Sequence, residues 1–216
     1  MNIGIIGSGS IGASAARLCA DAGHEVALSN SRGSGSLASL VEEIGPRARA
    51  ATVEEAAGFG DVVLVAIPFF AYDTLPAEPL AGKAVVDAMN YYARRHGEID
   101  FNGLSSTEVV ARHLLDFRVV KAFNAMHYET LRTEGQPSAP AEERLVLFVA
   151  GNDGEAKTAV SRLIEEVGFT PVDTGSLSDG RKQEPGSPIY NVPMKPEQAR
   201  ETLAGMPRRR PDLGHR

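Results

Sequence analysis

Short apolar runs alternate with longer segments of helical periodicity along most of the chain. The apolar runs lie at residues 2–6, 24–29, 61–67, 83–89, 118–123, 145–150 and 170–173, and we predict a strand at each. Most of them lack polar alternation, which indicates strands covered on both faces. The pattern therefore predicts an α/β fold of the Rossmann-like, doubly wound type. We expect a mostly parallel sheet of about seven to eight strands with helices on both faces.

Capping signals support the helices between these strands. Ser105 and Glu108 have the spacing of a capping box, and Asn152 with Glu155 has a similar spacing with asparagine as the N-cap residue. The helix that would follow Asn152 has apolar residues on one face and ends at Gly168, where a left-handed C-terminal cap is expected.

The alternating pattern fades after about residue 177, which suggests a division of the chain. We predict that residues 1–177 form a nucleotide-binding domain that includes the substrate slot. Residues 178–216 would be a C-terminal extension of the same domain. It would carry a short helix at residues 196–204 and a basic tail at residues 207–216.

Composition and charge exclude several classes of protein. The chain is 43% hydrophobic and 23% charged, which is enough for a large core. Its formal net charge of −6 argues against a nucleic-acid partner. The uncharged stretch at residues 62–72 is too short for a membrane span of about 20 residues. The single Cys19 allows no internal disulfide, and no zinc-site spacing is present. Because no basic leader precedes the first strand, we expect a cytoplasmic protein.

The strongest motif lies between the first predicted strand and the first predicted helix. Residues 7–12 read Gly-Ser-Gly-Ser-Ile-Gly and match the dinucleotide-binding pattern GxGxxG. Gly7 permits a tight turn, Gly9 lets the backbone approach a pyrophosphate, and Gly12 allows the helix to pack closely on the strand. The helix N-terminus then favours the anion. The alternative is a tight turn with no ligand. It would explain the glycines, but not their position between a predicted strand and a predicted helix.

The end of the second strand favours NADP(H) over NAD(H). An NAD enzyme usually has an acidic residue about 20 residues beyond the glycines, to bind the ribose hydroxyls. Here the segment reads Asn30-Ser31-Arg32, and no acidic residue occurs between Glu25 and Glu42. Ser31 and Arg32 can bind a ribose phosphate that a carboxylate would repel. The alternative is an ordinary surface loop that is indifferent to this phosphate.

Several motifs together resemble the coenzyme F420-dependent NADP oxidoreductase family. They comprise residues 7–12, 23–26, 31–32 and 66–68, and further similarity lies at residues 121–124, 148–153 and 172–177. The later segments also resemble the cytosolic reductase domain of the six-transmembrane metalloreductases.

The resemblance implies a homodimer that binds NADP(H) and a flat deazaflavin, coenzyme F420, or a flavin as second substrate. Family roles then fall on residues of this chain. The pyrophosphate would lie along Ser8, Ser10 and Ile11, the ribose phosphate at Ser31 and Arg32, and the nicotinamide near Ile67 and Pro68.

Three departures from the family pattern bear on specificity. The chain has Phe69-Phe70 where the deazaflavin enzymes tend to have tryptophan, and Phe123-Asn124-Ala125 where they have a Leu-His-Thr type segment. Ser36 stands near the position of a lysine that the family can offer to the ribose phosphate. The first two put the second substrate in question, and the third weakens the preference for NADP.

Loops at the carboxyl edge of the sheet supply candidates for the second-substrate slot. These are Pro68, Phe69, Phe70, Met89, Asn90, Tyr91, Tyr92, Asn124, Met126 and His127. We predict His127 and Asn124 as catalytic residues, His127 as a proton donor or ring contact, and both Asn90 and Asn124 as hydrogen-bonding partners of ring carbonyls. The predicted cofactor-binding residues also include Asn30, Ser36, Phe69 and Asn90. Phe69, Phe70 and Met126 could instead pack beneath the loops. Lys121 could face the pyrophosphate, but pairing with a buried acid such as Asp87 is the preferred interpretation.

The sequence thus predicts hydride transfer between NADPH and a deazaflavin, with a small-molecule substrate and no metal. Such chemistry belongs to the cofactors and needs mainly positioning from the protein. The alternatives are an NADPH-dependent flavin or ferric-chelate reductase, an imine or enone reductase, and a nonenzymatic NADP(H) sensor. An imine reductase normally needs a further helical domain for which this chain is too short.

Overall fold

The computed structural model describes residues 1–115 and 118–207 and contains one eight-stranded sheet. Its strands are β1 (Asn2–Ile6), β2 (Glu25–Ser29), β3 (Ala48–Ala50), β4 (Val62–Val65), β5 (Ala84–Asp87), β6 (Val119–Lys121), β7 (Val146–Gly151) and β8 (Thr170–Gly175). They lie in the order β3-β2-β1-β4-β5-β6-β7-β8. The strands β1 to β6 are parallel, whereas β7 is antiparallel to β6 and parallel to β8. The predicted doubly wound, mostly parallel fold is confirmed.

Helices cover both faces of the sheet. They are α1 (Ser10–Asp21), α2 (Ala38–Ile44), α3 (Val53–Phe59), α4 (Ala77–Leu80), α5 (Ala93–His96), α6 (Ser106–His113), α7 (Tyr128–Thr133), α8 (Gly154–Glu166) and α9 (Pro196–Gly205). Short 3₁₀ segments lie at Ser34–Leu37, Phe69–Thr74, Ala141–Glu143 and Leu177–Gln183. Apolar side chains of α1 and α8 form the core on one face, and those of α6 and the Phe69–Thr74 segment form it on the other.

The strand β3 is the one that the apolar pattern does not predict. It is three residues long, reads Ala-Arg-Ala, and lies at the edge of the sheet beside β2. Arg49 projects from it over the Phe59 ring, 4.6 Å from the ring centroid. Because an edge strand needs neither an apolar run nor burial on both faces, its sequence carries little strand signal.

The capping predictions are partly wrong. Ser105 and Glu108 form the expected capping box, and Gly168 has a φ of +92° at the end of α8. The prediction of Asn152 as N-cap residue of α8 is wrong, because Asp153 accepts the hydrogen bond from Ala156 N at 2.6 Å. The Asn152 Oδ1 instead accepts a hydrogen bond from Leu177 N at 2.9 Å. Because asparagine and aspartate are both good N-cap residues and stand next to each other here, the sequence leaves the start of α8 uncertain by one residue.

The C-terminal extension packs on the antiparallel end of the sheet. Ile189, Met194 and Ala199 are buried against Phe148 and Val172 of β7 and β8. The basic tail predicted from residue 207 onward lies, from residue 208, outside the described residues.

Cys19 is buried within α1, as its apolar neighbours predicted, and its thiol should be inert. Only 1% of the residue is exposed, and burial, assisted by the charge of Glu166, raises its pKa to about 12. The thiolate is the reactive form, so the native protein is expected not to react with an aromatic disulfide reagent at mildly alkaline pH. Absorbance of the released thiol should appear only in denaturant. Rapid labelling of the native protein would contradict this burial.

His24 makes stability depend on pH. Its Nδ1 lies 3.3 Å from the N-terminal nitrogen and its Nε2 lies 3.2 Å from Glu166 Oε2. Burial first, then the N-terminal charge, lower its pKa from 6.5, with Arg162 acting in the same direction and Glu166 opposing it. Below pH ~6.5 the unfolded chain therefore binds a proton that the folded chain resists, and stability falls as the pH falls.

The measurement is the thermal midpoint between neutral and mildly acidic pH. We expect the midpoint of the wild type to fall more steeply than that of His24→Gln, which has no such titration. Parallel pH profiles would show that His24 does not contribute.

Candidate functional site

The glycine-rich loop has a conformation that two of its glycines make possible. Gly7 has a φ of +110°, and a Cβ there would lie 2.3 Å from the carbonyl oxygen of Ala66. A Cβ on Gly12 would lie 1.8 Å from the carbonyl oxygen of Gly7. Both positions exclude any larger residue because the backbone of the chain itself approaches them. The tight turn and the close helix contact that the motif predicts are therefore present.

Gly9 differs from these two glycines because none of the residues that the structure describes requires a glycine there. Its φ is −71°, which any residue adopts, and a Cβ there would meet no atom within 4 Å. It is the N-cap residue of α1 and supplies no side-chain cap to the helix. The open space therefore lies at the amide-rich start of a helix of 12 residues. Such a position suits an anionic group that approaches the backbone closely.

A cavity of about 490 Å³ opens from this loop. Its walls come from the ends of β1, β2 and β4, from the start of α3 and from the Phe69–Thr74 segment. They are formed by Ile6, Gly7, Ser8, Gly9, Asn30, Ser31, Arg32, Val53, Ala66, Ile67, Pro68, Phe70, Ala71, Thr74 and Leu75. Among these lining residues Arg32 is the one charged side chain, and none is acidic. The cavity thus combines an apolar wall with a helix N-terminus and a cation.

Asn30 links the glycine-rich loop to the loop after β2. Its Nδ2 donates to Ser8 Oγ and to Ser36 Oγ, each at 3.0 Å, and its Oδ1 accepts from Arg32 N at 2.9 Å. Ser36 Oγ also donates to the carbonyl oxygen of Gly33 at 2.7 Å. Ser31 and Arg32 are exposed, and the Arg32 guanidinium has no hydrogen bond or ion pair with the described residues. The two segments that would bind an anion are therefore held in one frame.

The apolar wall corrects one predicted contact. Ile67 and Pro68 line the cavity as expected, but Phe69 does not. Phe69 is 1% exposed, and its ring centroid lies 5.4 to 5.7 Å from those of Tyr72, Tyr91 and Phe101. Phe70 is 61% exposed and lines the cavity instead. The 3₁₀ segment that begins at residue 69 turns the first phenylalanine into the core and the second outward.

Ser10 and Ile11 begin α1 beside the loop but do not line this cavity. Ser10 is exposed, and its carbonyl oxygen accepts a hydrogen bond from Ser14 Oγ at 2.8 Å. Ile11 is half-buried and packs on the core of its sheet face. Their predicted contact with a pyrophosphate remains a prediction.

The structure brings together two of the three polar residues predicted for the second-substrate slot. Asn124 Nδ2 donates to Asn90 Oδ1 at 3.0 Å and to Gln183 O at 2.8 Å, while Asn90 Nδ2 donates to Asn124 O at 2.9 Å. Asn124 is only 2% exposed, and its Oδ1 has no hydrogen-bond partner among the described residues. Its amide nitrogen is fully used within the protein. The buried Asn124 therefore has a structural role at the edge of the sheet. Asn90 is more exposed, because it is only half-buried.

His127 lies on a different part of this edge. Its side chain is half-exposed, its Nδ1 lies 3.7 Å from Glu129 Oε2, and its ring lies 4.6 Å from that of Tyr128. Tyr128 O accepts a hydrogen bond from Ser14 Oγ at 3.3 Å, so this loop rests on α1. His127 makes no hydrogen bond to either asparagine and does not line the cavity. Its predicted role as proton donor gains no contact that would support it.

A buried ion pair fixes the backbone just before Asn90. Lys121 and Asp87 are fully buried, with 3.1 Å between Nζ and Oδ2, as the preferred interpretation of Lys121 expected. Lys121 Nζ donates to Met89 O at 2.5 Å, and Asp87 Oδ1 accepts from Met89 N at 2.9 Å. Thr107 Oγ1 donates to Asp87 Oδ2 at 2.7 Å. The pair thus holds both main-chain polar groups of Met89.

The extension adds a residue to this edge that the sequence did not indicate. Tyr190 Oη lies 2.6 Å from Tyr92 Oη and 3.4 Å from Asn90 Nδ2. These contacts join segments about 100 residues apart, in a region where periodicity is absent. The one available signal was a tyrosine within a proline-rich segment.

The described residues contain neither a cluster of metal-binding side chains nor a membrane-spanning helix. Over residues 1–115 and 118–207, no group of three or more His, Cys, Asp or Glu side chains has the geometry to hold a metal ion. Within the same ranges, every helix is too short or too polar to cross a bilayer.

Comparison with known proteins places this site in a family context. Residues 2–91 match the family model of NADP oxidoreductases, coenzyme F420-dependent. The crystal structure of the hypothetical protein SMa0349 from Sinorhizobium meliloti is 31% identical, with a TM-score of 0.79, over 90% of this chain and 95% of that one. A protein assigned as an F420-dependent NADP-reductase from Arthrobacter sp. FB24 is 27% identical, with a TM-score of 0.71, over 84% of this chain and 87% of that one.

A curated relative shares the similarity over a longer segment than the family model. Metalloreductase STEAP3 of Rattus norvegicus is 31% identical over 184 residues, which is 84% of this chain. The matched region is 35% of the length of that relative, so the chain spans about a third of it.

Proposed function

We propose that the protein is an NADP(H)-dependent oxidoreductase of the coenzyme F420-dependent family, whose model its residues 2–91 match. The proposed reaction transfers hydride between NADPH and a planar deazaflavin, coenzyme F420. One observation supports the nucleotide assignment most strongly. The space in front of Gly9 opens into a cavity whose single charged lining residue is Arg32.

The residues of the cavity fit NADP(H) group by group. The main-chain amides of Ser8, Gly9 and Ser10 would bind the pyrophosphate at the start of α1. Ser31 and Arg32 would bind the ribose phosphate, for which a planar guanidinium is well suited. Ile67 and Pro68 would contact the nicotinamide end through apolar surface. Asn30 hydrogen-bonds to Ser8 and to Arg32 and would hold the pyrophosphate-binding and ribose-phosphate-binding segments at a fixed separation.

The nicotinamide itself supplies the hydride, so the protein needs no acid or base of its own for that step. The contribution of this chain is to hold two rings in contact and to limit the entry of water. Alignment of reacting groups accounts for about 7–11 kcal/mol in favourable cases. The apolar wall of Ile67, Pro68 and Phe70 serves this purpose.

The second candidate function is NADPH-dependent reduction of a flavin or a ferric chelate. The identity of 31% to metalloreductase STEAP3 over most of this chain favours it. The chain also has Asn124 where the deazaflavin enzymes have a Leu-His-Thr type segment. We also propose that the protein forms a homodimer and is located in the cytoplasm. The molar mass measured by light scattering would test the homodimer.

An acceptor panel tests the proposed function. Purified protein and NADPH are mixed in turn with oxidised coenzyme F420, riboflavin, FMN and a ferric chelate, and loss of reduced nicotinamide is followed. The proposal expects the fastest turnover with F420. Fast turnover with flavin or ferric chelate alone would favour the second candidate. NADPH binding without turnover of any acceptor would indicate a nucleotide sensor.

Replacing Arg32 separates the ribose phosphate from the rest of the nucleotide. Arg32→Ala is expected to raise the KM for NADPH by about 10- to 100-fold, since a charge-assisted hydrogen bond contributes ~1.5–3 kcal/mol. The KM for NADH should change little, because NADH lacks the phosphate. Arg200→Ala, which removes an exposed partner of Glu142, is the matched control and should alter neither value. Equal losses with both nucleotides would show that Arg32 has only a structural role.

A further inference from the structure

Three polar side chains from two distant segments meet at the carboxyl end of β5. They are Asn90, Tyr92 and Tyr190, and we call them the polar edge. Tyr190 Oη and Tyr92 Oη are 2.6 Å apart, and Asn90 Nδ2 lies 3.4 Å from Tyr190 Oη. All three residues are half-buried. Nothing in the nucleotide site described above uses them.

The polar edge follows β5, the strand next to β4, and β4 leads into the Ile67 and Pro68 wall of the cavity. The anion-binding loops follow β1 and β2, while Ile67 and Pro68 follow β4, and β5 is the next strand in the sheet. Ala88 N donates to Val65 O at 3.0 Å, which places residues 88–90 alongside residues 65–68. In the proposed binding mode, a dinucleotide at Gly9 and Arg32 would have its nicotinamide end on the side of the sheet where the polar edge lies.

The residues next to Asn90 and Tyr190 in the chain are held by hydrogen bonds and burial, which fixes the polar edge. The Asp87–Lys121 pair holds the main chain of Met89, immediately before Asn90. On the other side, Ile189 is fully buried and Asn191 N donates to Ala125 O at 2.8 Å, so both neighbours of Tyr190 are fixed. Groups fixed in this way bind a developing charge without reorganising, which is what makes such sites effective.

We propose that the hydroxyl of Tyr190, oriented by the Asn90 amide that donates to it, binds the carbonyl-nitrogen edge of the acceptor ring, on which negative charge appears when the hydride arrives. This inference rests on the proposed function and specifies its substrate class, a planar heteroaromatic ring with adjoining carbonyl and nitrogen acceptors. NADPH gives up a hydride, which is two electrons and a proton, and becomes NADP⁺. The acceptor gains the hydride and a negative charge on its conjugated carbonyl-nitrogen edge, and solvent then supplies the proton that neutralises this edge.

The protonation state of Tyr190 agrees with a donor role. Burial first, and then the hydrogen bond with Tyr92, raise the pKa of the Tyr190 hydroxyl well above its usual range. The hydroxyl therefore stays protonated at neutral and alkaline pH and donates a hydrogen bond. It does not act as a base.

Tyr190→Phe removes this hydroxyl and keeps the ring that packs in the extension. With an acceptor that has a carbonyl-nitrogen edge, oxidised F420 or FMN, kcat is expected to fall about 100- to 1000-fold, as when one oxyanion-hole donor is lost. The Kd for NADPH should stay unchanged. Turnover of phenazine methosulfate, a planar tricycle without a carbonyl edge, should also stay unchanged. Tyr128→Phe removes an exposed hydroxyl bonded to Glu129 and is the matched control.

The outcomes separate this inference from the proposed function. A selective loss with the carbonyl-containing acceptors supports the assignment. Equal losses with phenazine methosulfate would assign Tyr190 a structural role, and an unchanged kcat would remove it from the site. Both results overturn the inference while the proposed function stands. Absence of NADPH turnover by the wild type with every acceptor would overturn both.

Discussion

Lys121→Met is expected to lower the free energy of unfolding by about 3–5 kcal/mol, because it leaves the Asp87 carboxylate buried without its counter-charge. Neither side chain of the pair has any solvent exposure, so water cannot replace the lost partner. The same change removes the donor that holds Met89 O. Urea unfolding followed by circular dichroism measures the difference, with the slope of the transition as a check that both states are unchanged.

Two further variants test the origin of this loss. In Asp87→Asn with Lys121→Met, no charge remains buried, so the double variant should lose less than the sum of the single ones. Arg47→Met breaks the exposed pair with Glu25 and should cost less than about 1 kcal/mol. If Lys121→Met costs as little as Arg47→Met, the buried pair does not stabilise this edge of the sheet.

Gly9→Ala is expected to raise the Kd for NADPH by at least about tenfold, or ~1.4 kcal/mol, with little effect on folding. The new Cβ would meet no atom of residues 1–115 and 118–207 within 4 Å, and the backbone already has an ordinary φ. It would occupy the space through which the backbone approaches a pyrophosphate. NADPH titration by fluorescence gives the affinity, and thermal unfolding gives the stability of the same sample.

Two other glycines serve as controls for Gly9. Gly58→Ala also adds a methyl group in open space, on α3, and should leave NADPH affinity unchanged. Gly12→Ala would place its Cβ 1.8 Å from Gly7 O and should instead reduce stability. Normal NADPH affinity in Gly9→Ala would show that the open space at Gly9 does not receive the nucleotide.

The sequence predicted the features that local chemistry determines. Parallel strands covered on both faces have continuous apolar runs, so seven of the strands could be recognised without any contact information. The glycine-rich loop and the Asn30-Ser31-Arg32 segment could be placed because each follows directly on a strand. The edge strand β3 was missed because three residues with one arginine carry no such run.

The second-substrate side was harder to predict because it depends on packing between distant segments. The choice between Phe69 and Phe70 is made by a 3₁₀ segment, which leaves no periodic signal in the sequence. The buried Asn124 side chain donates a hydrogen bond to Gln183 O in the extension. Tyr190, in the same extension, contacts Tyr92. Contacts of this kind carry no pattern within a single sequence.

The most direct test of the account is the affinity of the wild-type protein for NADPH and NADH, measured side by side by isothermal titration calorimetry. The cavity lined by Arg32 without an acidic residue predicts that NADPH binds at least about tenfold more tightly than NADH. It also predicts that this ratio approaches unity in Arg32→Ala. Equal affinity for both nucleotides in the wild type, or no heat with either, would contradict the account.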